Sequence, residues 1–189
     1  MQMGISFKPR CLLLAGVALW LTTAAHSDDA SSVAQLEKQA IEQVVAGEYG
    51  AADEKIRAAI VLADNDTFMR LALLQGLIAT YMGGDGRSLM GAALAAHQSN
   101  AWPRPVIAYL LGERKLQQVA DGIRISGVPL EEKTRRVCQL SFYAGAFAAS
   151  DGETPFARKL LAKAAETCSN DPALAALTTA EQATLPAAP

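Results

Sequence analysis

This sequence is short of the residues from which metal and nucleophilic centres are built. It has two histidines, His26 and His97, and three cysteines, Cys11, Cys138 and Cys168. His97 has no second histidine beside it and no cysteine or carboxylate cluster at ligand spacing. A zinc site is therefore not expected, and metal catalysis goes with it. No other cofactor is implied. His97 is read as a solvent-facing residue at the C-terminal end of a helix, where a cation suits the dipole. Aromatic residues make up 6% of the chain, and Val, Ile and Thr do not alternate with polar residues, so no pair of strands can be defended. Basic charge does not dominate, with 17 Lys and Arg against 19 Asp and Glu, which leaves no footprint for nucleic acid. What is abundant is Ala and Leu, the composition of packed helices.

Two stretches invite a catalytic reading and fail it. Gly83-Gly84-Asp85-Gly86-Arg87-Ser88 is rich in glycine before a helix but lacks the lysine and the spacing of a phosphate loop, so it is read as a turn. Gly86-Arg87-Ser88-Leu89-Met90 misses the last glycine of a nucleophile elbow. No catalytic residue can be assigned and no enzyme activity is expected. Arg114, Lys115, Arg124, Lys133, Arg135 and Arg136 gather in one third of the chain, but Glu113, Asp121, Glu131 and Glu132 are interleaved with them. That is the pattern of a solvated helix face, with a patch for an acidic partner or anionic polymer as the alternative.

Residues 1–10 carry Lys8 and Arg10 and no acid, Cys11 to Leu21 is an apolar run, and Thr22-Thr23-Ala24-Ala25 follows. Basic, apolar and small in that order is the pattern of a secretory signal peptide. The run is shorter than the roughly 20 residues a membrane-spanning helix needs. Residues 1–25 are therefore read as a cleaved signal peptide, cut after Ala25 with Ser27 as the next candidate. No integral membrane span is expected afterwards, and the protein is expected in the periplasm or secreted. Cys11 stands at the front of the run, where it cannot serve as a lipid carrier. Residues 26–183 suffice for a single domain with its own core, and 184–189 are read as a disordered tail.

The chain repeats itself. Gly47-Glu48-Tyr49 is followed by Ala52, Ile56 and Ala59; Gly76 and Gly83 are followed by Ser88, Ala92 and Ala95; Gly145 and Gly152 are followed by Phe156, Ala157, Leu161 and Ala164. Each set reads as a helix ended by a glycine in the left-handed conformation, then a second helix with a small–large–small stripe that lets two backbones approach closely. Trp102-Pro103-Arg104-Pro105 to Gly127 is a degenerate unit, with an extended entry forced by its prolines, a short helix broken at Gly112 and another over 114–126. Pro129 then opens a long helix.

These residues resemble tetratricopeptide repeats. The resemblance implies an all-α right-handed superhelix of TPR-like helical hairpins, three recognisable units and one degenerate, closed by a C-terminal capping helix over Pro172 to Gln182. The Trp-Pro-x-Pro segment, the short helix ending Leu110-Leu111-Gly112 and the Phe142-Tyr143-Ala144-Gly145 repeat resemble the C-terminal half of a family of bacterial envelope tetratricopeptide proteins, a lipidated branch of which acts as an adaptor between a periplasmic protease and cell-wall hydrolases. Gln39, Gln43, Asp64 and Ser169 depart from the repeat pattern, so the first hairpin is read as loosely packed or as a polar cap.

By register with that family, Arg70, Leu73, Leu77 and Tyr81 of the second unit and Phe142 and Ala146 of the last face a groove. The alternative is that Leu73, Leu77 and Phe142 are ordinary core. Cys138 and Cys168 begin and end the last hairpin, whose antiparallel helices bring them together, and a disulfide is expected in an oxidising compartment; two free buried thiols are the alternative. The function implied is a scaffold or adaptor for a protein partner in the cell envelope. An accessory factor for cell-wall polymer or hydrolases is the second reading and an enzyme with a cryptic site the third. Gln39 and Gln43 neither support nor exclude a homodimer through the first hairpin. If the N-terminal reading holds, the intact mass of the exported form corresponds to a chain beginning at His26; an exported chain that keeps its first 25 residues overturns it.

Overall fold

The computed structural model describes residues 18–97 and 101–187, with residues 18–29 described as backbone only. All elements among these residues are helical: α1 (Ala18–Val45), α2 (Tyr49–Leu62), α3 (Asn65–Tyr81), α4 (Gly86–Ala96), α5 (Arg104–Leu110), α6 (Leu116–Ile125), α7 (Leu130–Ser150), α8 (Thr154–Thr167) and α9 (Pro172–Thr184). Most of the expected signal peptide, residues 1–17, lies outside the described residues, and residues 18–25 continue as helix into α1. At the other end, α9 runs one residue past the expected boundary at 183 and Leu185 packs against the core. Arg158 donates to the Pro186 carbonyl at 2.5 Å.

Four turns share one construction. Gly47, Gly83, Gly112 and Gly152 have φ of 79°, 77°, 78° and 79°, a conformation that costs glycine nothing. In each, the next amide reaches back over the helix end: Glu48 to Gln43, Gly84 to Ala79 and Glu153 to Ala148 at 2.8 Å, and Glu113 to Ala108 at 2.9 Å. This pattern satisfies carbonyls that a helix terminus would otherwise leave bare. The turns fold α1 on α2, α3 on α4, α5 on α6 and α7 on α8, so the degenerate unit is a shortened hairpin of the same type. Helix starts are set by aspartates: Asp64, Asp85 and Asp171 accept from the amides of Thr67, Ser88 and Leu174 at 2.8, 2.9 and 3.0 Å, as N-caps do. The expected extended entry at Trp102 is instead a turn, with a cis Trp102–Pro103 bond and Pro103 preceding α5.

The small–large–small stripe is present in the first and last hairpins at the expected positions, with Ala52, Ile56 and Ala59 and then Ala157, Leu161 and Ala164 fully buried. In the second hairpin the expectation of Ser88, Ala92 and Ala95 is corrected. Those three are exposed, and the buried stripe is Gly86, Met90 and Ala93. There the stripe begins at Gly86, the first residue of α4, two residues nearer the turn glycine than in the first and last hairpins. A methyl group on Gly86 would overlap the Gly76 carbonyl, and one on Gly76 would come within 2.7 Å of Met90 Cγ. Gly145 packs equally closely on Leu161.

Helix α7 is the axis of the molecule. It is buried without a break from Cys138 to Ala148 and touches α3, α5, α6, α8 and α9. Cys138 and Cys168 lie at disulfide distance with Cα atoms 4.9 Å apart, closing thirty residues around the α7–α8 hairpin. In the chain-entropy description such a loop stabilises a fold by roughly 3–4 kcal/mol. Arg87 ties three units together: it forks onto Asp151 at 3.0 and 2.6 Å, donates to the Leu110 carbonyl at 3.0 Å and lies over the Phe147 ring at 5.3 Å. In the first hairpin Gln39 and Gln43 are half-buried and Gln43 Oε1 is buried without a partner.

The close α3–α4 seam predicts opposite signs for two glycine substitutions. Gly86→Ala must push backbones apart and is expected to lower stability by about 2 kcal/mol or more. Gly122→Ala, in the interior of α6 with nothing within 4 Å, is expected to raise it by about 0.5–1 kcal/mol. Urea unfolding of the two variants checks both signs.

Candidate functional site

The first helices of three hairpins, together with α9, enclose a groove of about 580 Å³. Helix α1 lends Glu37, Ile41 and Val45, α3 lends Arg70 and Leu74, α7 lends Gln139 and Tyr143, and α9 lends Asp171, Leu174 and Leu177. The lining mixes aliphatic side chains with a few polar and charged ones, the ordinary make-up of a binding cleft. It offers apolar contact, charge and hydrogen bonds, the last from Gln139 and the Tyr143 hydroxyl.

Arg70 is the hinge of the electrostatics. Its guanidinium bonds the Glu37 carboxylate, and burial holds its pKa below the usual value, with Tyr143 and Asp171 opposing. Burial likewise pushes the Tyr143 hydroxyl up. A second cavity, of about 340 Å³, lies on the other side of Arg70 and Gln139, which line both, and is completed by Trp102, Glu132, Arg135 and Arg136 among others. Glu132 receives two bonds from Arg135 and one from Arg136, all at 2.7 Å, and these bonds, Arg135 first, keep its carboxyl below the usual range against the pull of burial. Arg136 stacks over the Trp102 ring at 5.3 Å, while the Trp102 indole N–H donates to Gln139 Oε1.

The structure separates the residues that register alone placed together. Arg70 lines both cavities. Tyr81 stands farther along α3, half-buried, its hydroxyl donating to Glu181 of α9 and its ring 5.0 Å from that of Tyr49. Leu73, Leu77, Phe142 and Ala146 are fully buried in the core, so a ligand in the groove does not reach them. The reason is that α3 is packed by α2, α4 and α7, and α7 by five helices, which leaves little of either face open. The residues that sequence reasoning passed over are Glu37, Leu74, Gln139 and Tyr143. Their signal is the helical spacing of Arg70 with Leu74 and of Gln139 with Tyr143, four residues apart on one face.

Among the described residues no group of three or more His, Cys, Asp or Glu side chains is placed to hold a metal ion, and no helix is long and apolar enough to cross a membrane.

Glu181 gives the seat of α9 on Tyr81 a pH dependence. Burial raises its carboxyl above the usual range, and the hydrogen bond from Tyr81 only partly offsets this; the Tyr81 hydroxyl is itself pushed up, by burial first and by Glu181 second. A carboxyl whose folded pKa is raised favours the fold fully below its unfolded pKa and loses that contribution as pH rises through the folded one. Docking of α9 is therefore expected to tighten on acidification from neutral pH toward the ordinary carboxylate range. Protection factors of the α9 amides, with the intrinsic pH dependence of exchange divided out, should rise accordingly, and Glu181→Gln should remove that rise; an unaltered profile in that variant would assign it elsewhere.

No family model, curated protein or solved structure matches the chain.

Proposed function

We propose that this protein is an exported scaffold of the bacterial periplasm, a right-handed superhelix of tetratricopeptide-like hairpins that binds a segment of another envelope protein in its groove and catalyses no reaction. The single observation that supports this most is the cleft of about 580 Å³ built from the first helices α1, α3 and α7, the side on which stacked hairpins form their concave surface. Its aliphatic residues suit a peptide's side chains, and Arg70, Gln139 and Tyr143 suit its polar groups. The disulfide-distance pair Cys138 and Cys168 agrees with an oxidising compartment.

A second reading rests on the smaller cavity. Trp102, Arg135 and Arg136 offer one aromatic face and clustered guanidinium groups, which suit an anionic or sugar-bearing cell-wall polymer. Photo-crosslinking side chains at Lys38 and Glu42, on the α1 rim of the groove, are expected to capture one envelope protein that is not captured from Val61 on the exposed surface of α2. Capture of the same protein from Val61 would remove the groove from the reading. Cell-wall fragments in place of protein, captured from Arg136, would put the polymer reading first.

A further inference from the structure

Helix α9 does more than cover the end of the last hairpin. It packs against α8 and α7 and also against α1, the first helix of the chain. One of its faces lies along the groove: Asp171, Leu174 and Leu177 line the cleft opposite Arg70 and Leu74 of α3, and Glu181 takes the hydroxyl of Tyr81. Positions 171, 174, 177 and 181 follow one another on one helical stripe, as do 70, 74 and 81. A helix of this chain therefore already occupies part of the surface on which a partner would sit.

The hold on α9 is apolar and hydrogen-bonded, and it includes residues just beyond the helix: Leu185 packs against the core and Arg158 donates to the Pro186 carbonyl. The buried residues of α9 itself are Leu174, Leu177 and Thr178, and the Thr178 hydroxyl bonds its own helix at the Leu174 carbonyl, 2.6 Å away, so it ties α9 to nothing else. No ion pair among the described residues joins α9 to the body, and Glu181 is met by a phenol. Elements with few buried apolar contacts open first. The hinge is also defined. Cys168, at the end of α8, is pinned to Cys138, and exposed Ser169 and Asn170 lead from it into α9. Release of α9 would leave the α7–α8 hairpin clamped.

We propose that the α1–α3–α7 groove is a receptor for an amphipathic helix of the pattern Leu-x-x-Leu-x-x-x-Glu, that α9 is its resident occupant, and that the partner binds by displacing α9. This rests on the groove-binding reading and narrows the partner from any segment to a helix. Tethered by two residues, α9 competes at an effective concentration of order millimolar. The apparent affinity for a free helix is then the intrinsic one reduced by the fraction of molecules whose groove is open.

The test uses the full chain and a fluorescent peptide spanning residues 171–187, followed by anisotropy. Leu177→Ala in the chain, with the peptide unchanged, is expected to bind at least tenfold tighter than the wild-type chain, because its own helix competes less. The same substitution in the peptide should weaken binding at least tenfold. Glu181→Ala is the milder second chain variant should Leu177→Ala fail to fold, and hydrogen exchange in α7 and α8 reports that folding. Equal affinity of wild-type and variant chains, with α9 exchanging faster in the variant, overturns the proposal. So does exchange of α9 only in step with α7, which would make it a fixed part of the core. A dimer of the variant chain on size exclusion would make the occupant a second copy and overturn the partner assignment. Peptide binding without protein capture at Lys38 and Glu42 would retain the helix receptor and reject the envelope scaffold; the reverse pair of results would reject the receptor alone.

Discussion

Two helices can lie at their closest approach only where neither places a long side chain in the seam between them. Most of this fold follows from that constraint. Ala52 and Ala59, Gly86 and Ala93, and Ala157 and Ala164 each bracket one larger residue on a second helix, and the glycine turns deliver those helices antiparallel to their partners. Once three seams are this tight, the larger side chains of the first helices have one place to go. They meet each other, and α7 is buried from Cys138 to Ala148 as a result. The groove is the remainder of that packing, the strip of first-helix surface that no hairpin covers.

The turns were the most legible part of the sequence because the requirement behind them is local and severe. A residue with φ near 80° is glycine almost by necessity, so Gly47, Gly83 and Gly152 announce their role, and Gly112 does so even in a hairpin with a helix of seven residues. The stripe of the second hairpin was misplaced by two residues because the close approach of Gly86 to the Gly76 carbonyl, which fixes how α4 is turned toward α3, is a tertiary contact that spacing from Gly83 does not encode. Site residues were harder to read. Register along α3 distinguishes Arg70 from Leu73 only once its neighbours are known, and a helix packed on three sides buries positions that would line a groove in an open array. That α9 packs on the last hairpin was legible, while its contact with α1 was not, since Leu174 and Leu177 specify that one face is buried and say nothing of a second surface that receives it.

Charge in this protein works at joints. Arg87 spans three hairpins through Asp151, the Leu110 carbonyl and the Phe147 ring, with Asp151 raising its pKa. Arg70 and Glu37 join α1 to α3 beneath the groove. Exposed pairs such as Lys38 with Glu42 add little to stability. The joints matter for orientation, because stacked hairpins slide on apolar seams unless a directional contact fixes their angle.

The contact between α9 and α1 brings the first helix and the last into one local structure. A linear stack of repeats transmits strain only from neighbour to neighbour. Here the two extremes of the chain share an equilibrium: whatever lifts α9 also strips α1 of a supporting helix, and by thermodynamic reciprocity whatever steadies α1 makes α9 harder to lift. An event at α1 or at α9 is thereby felt at the other without passing through the hairpins between them.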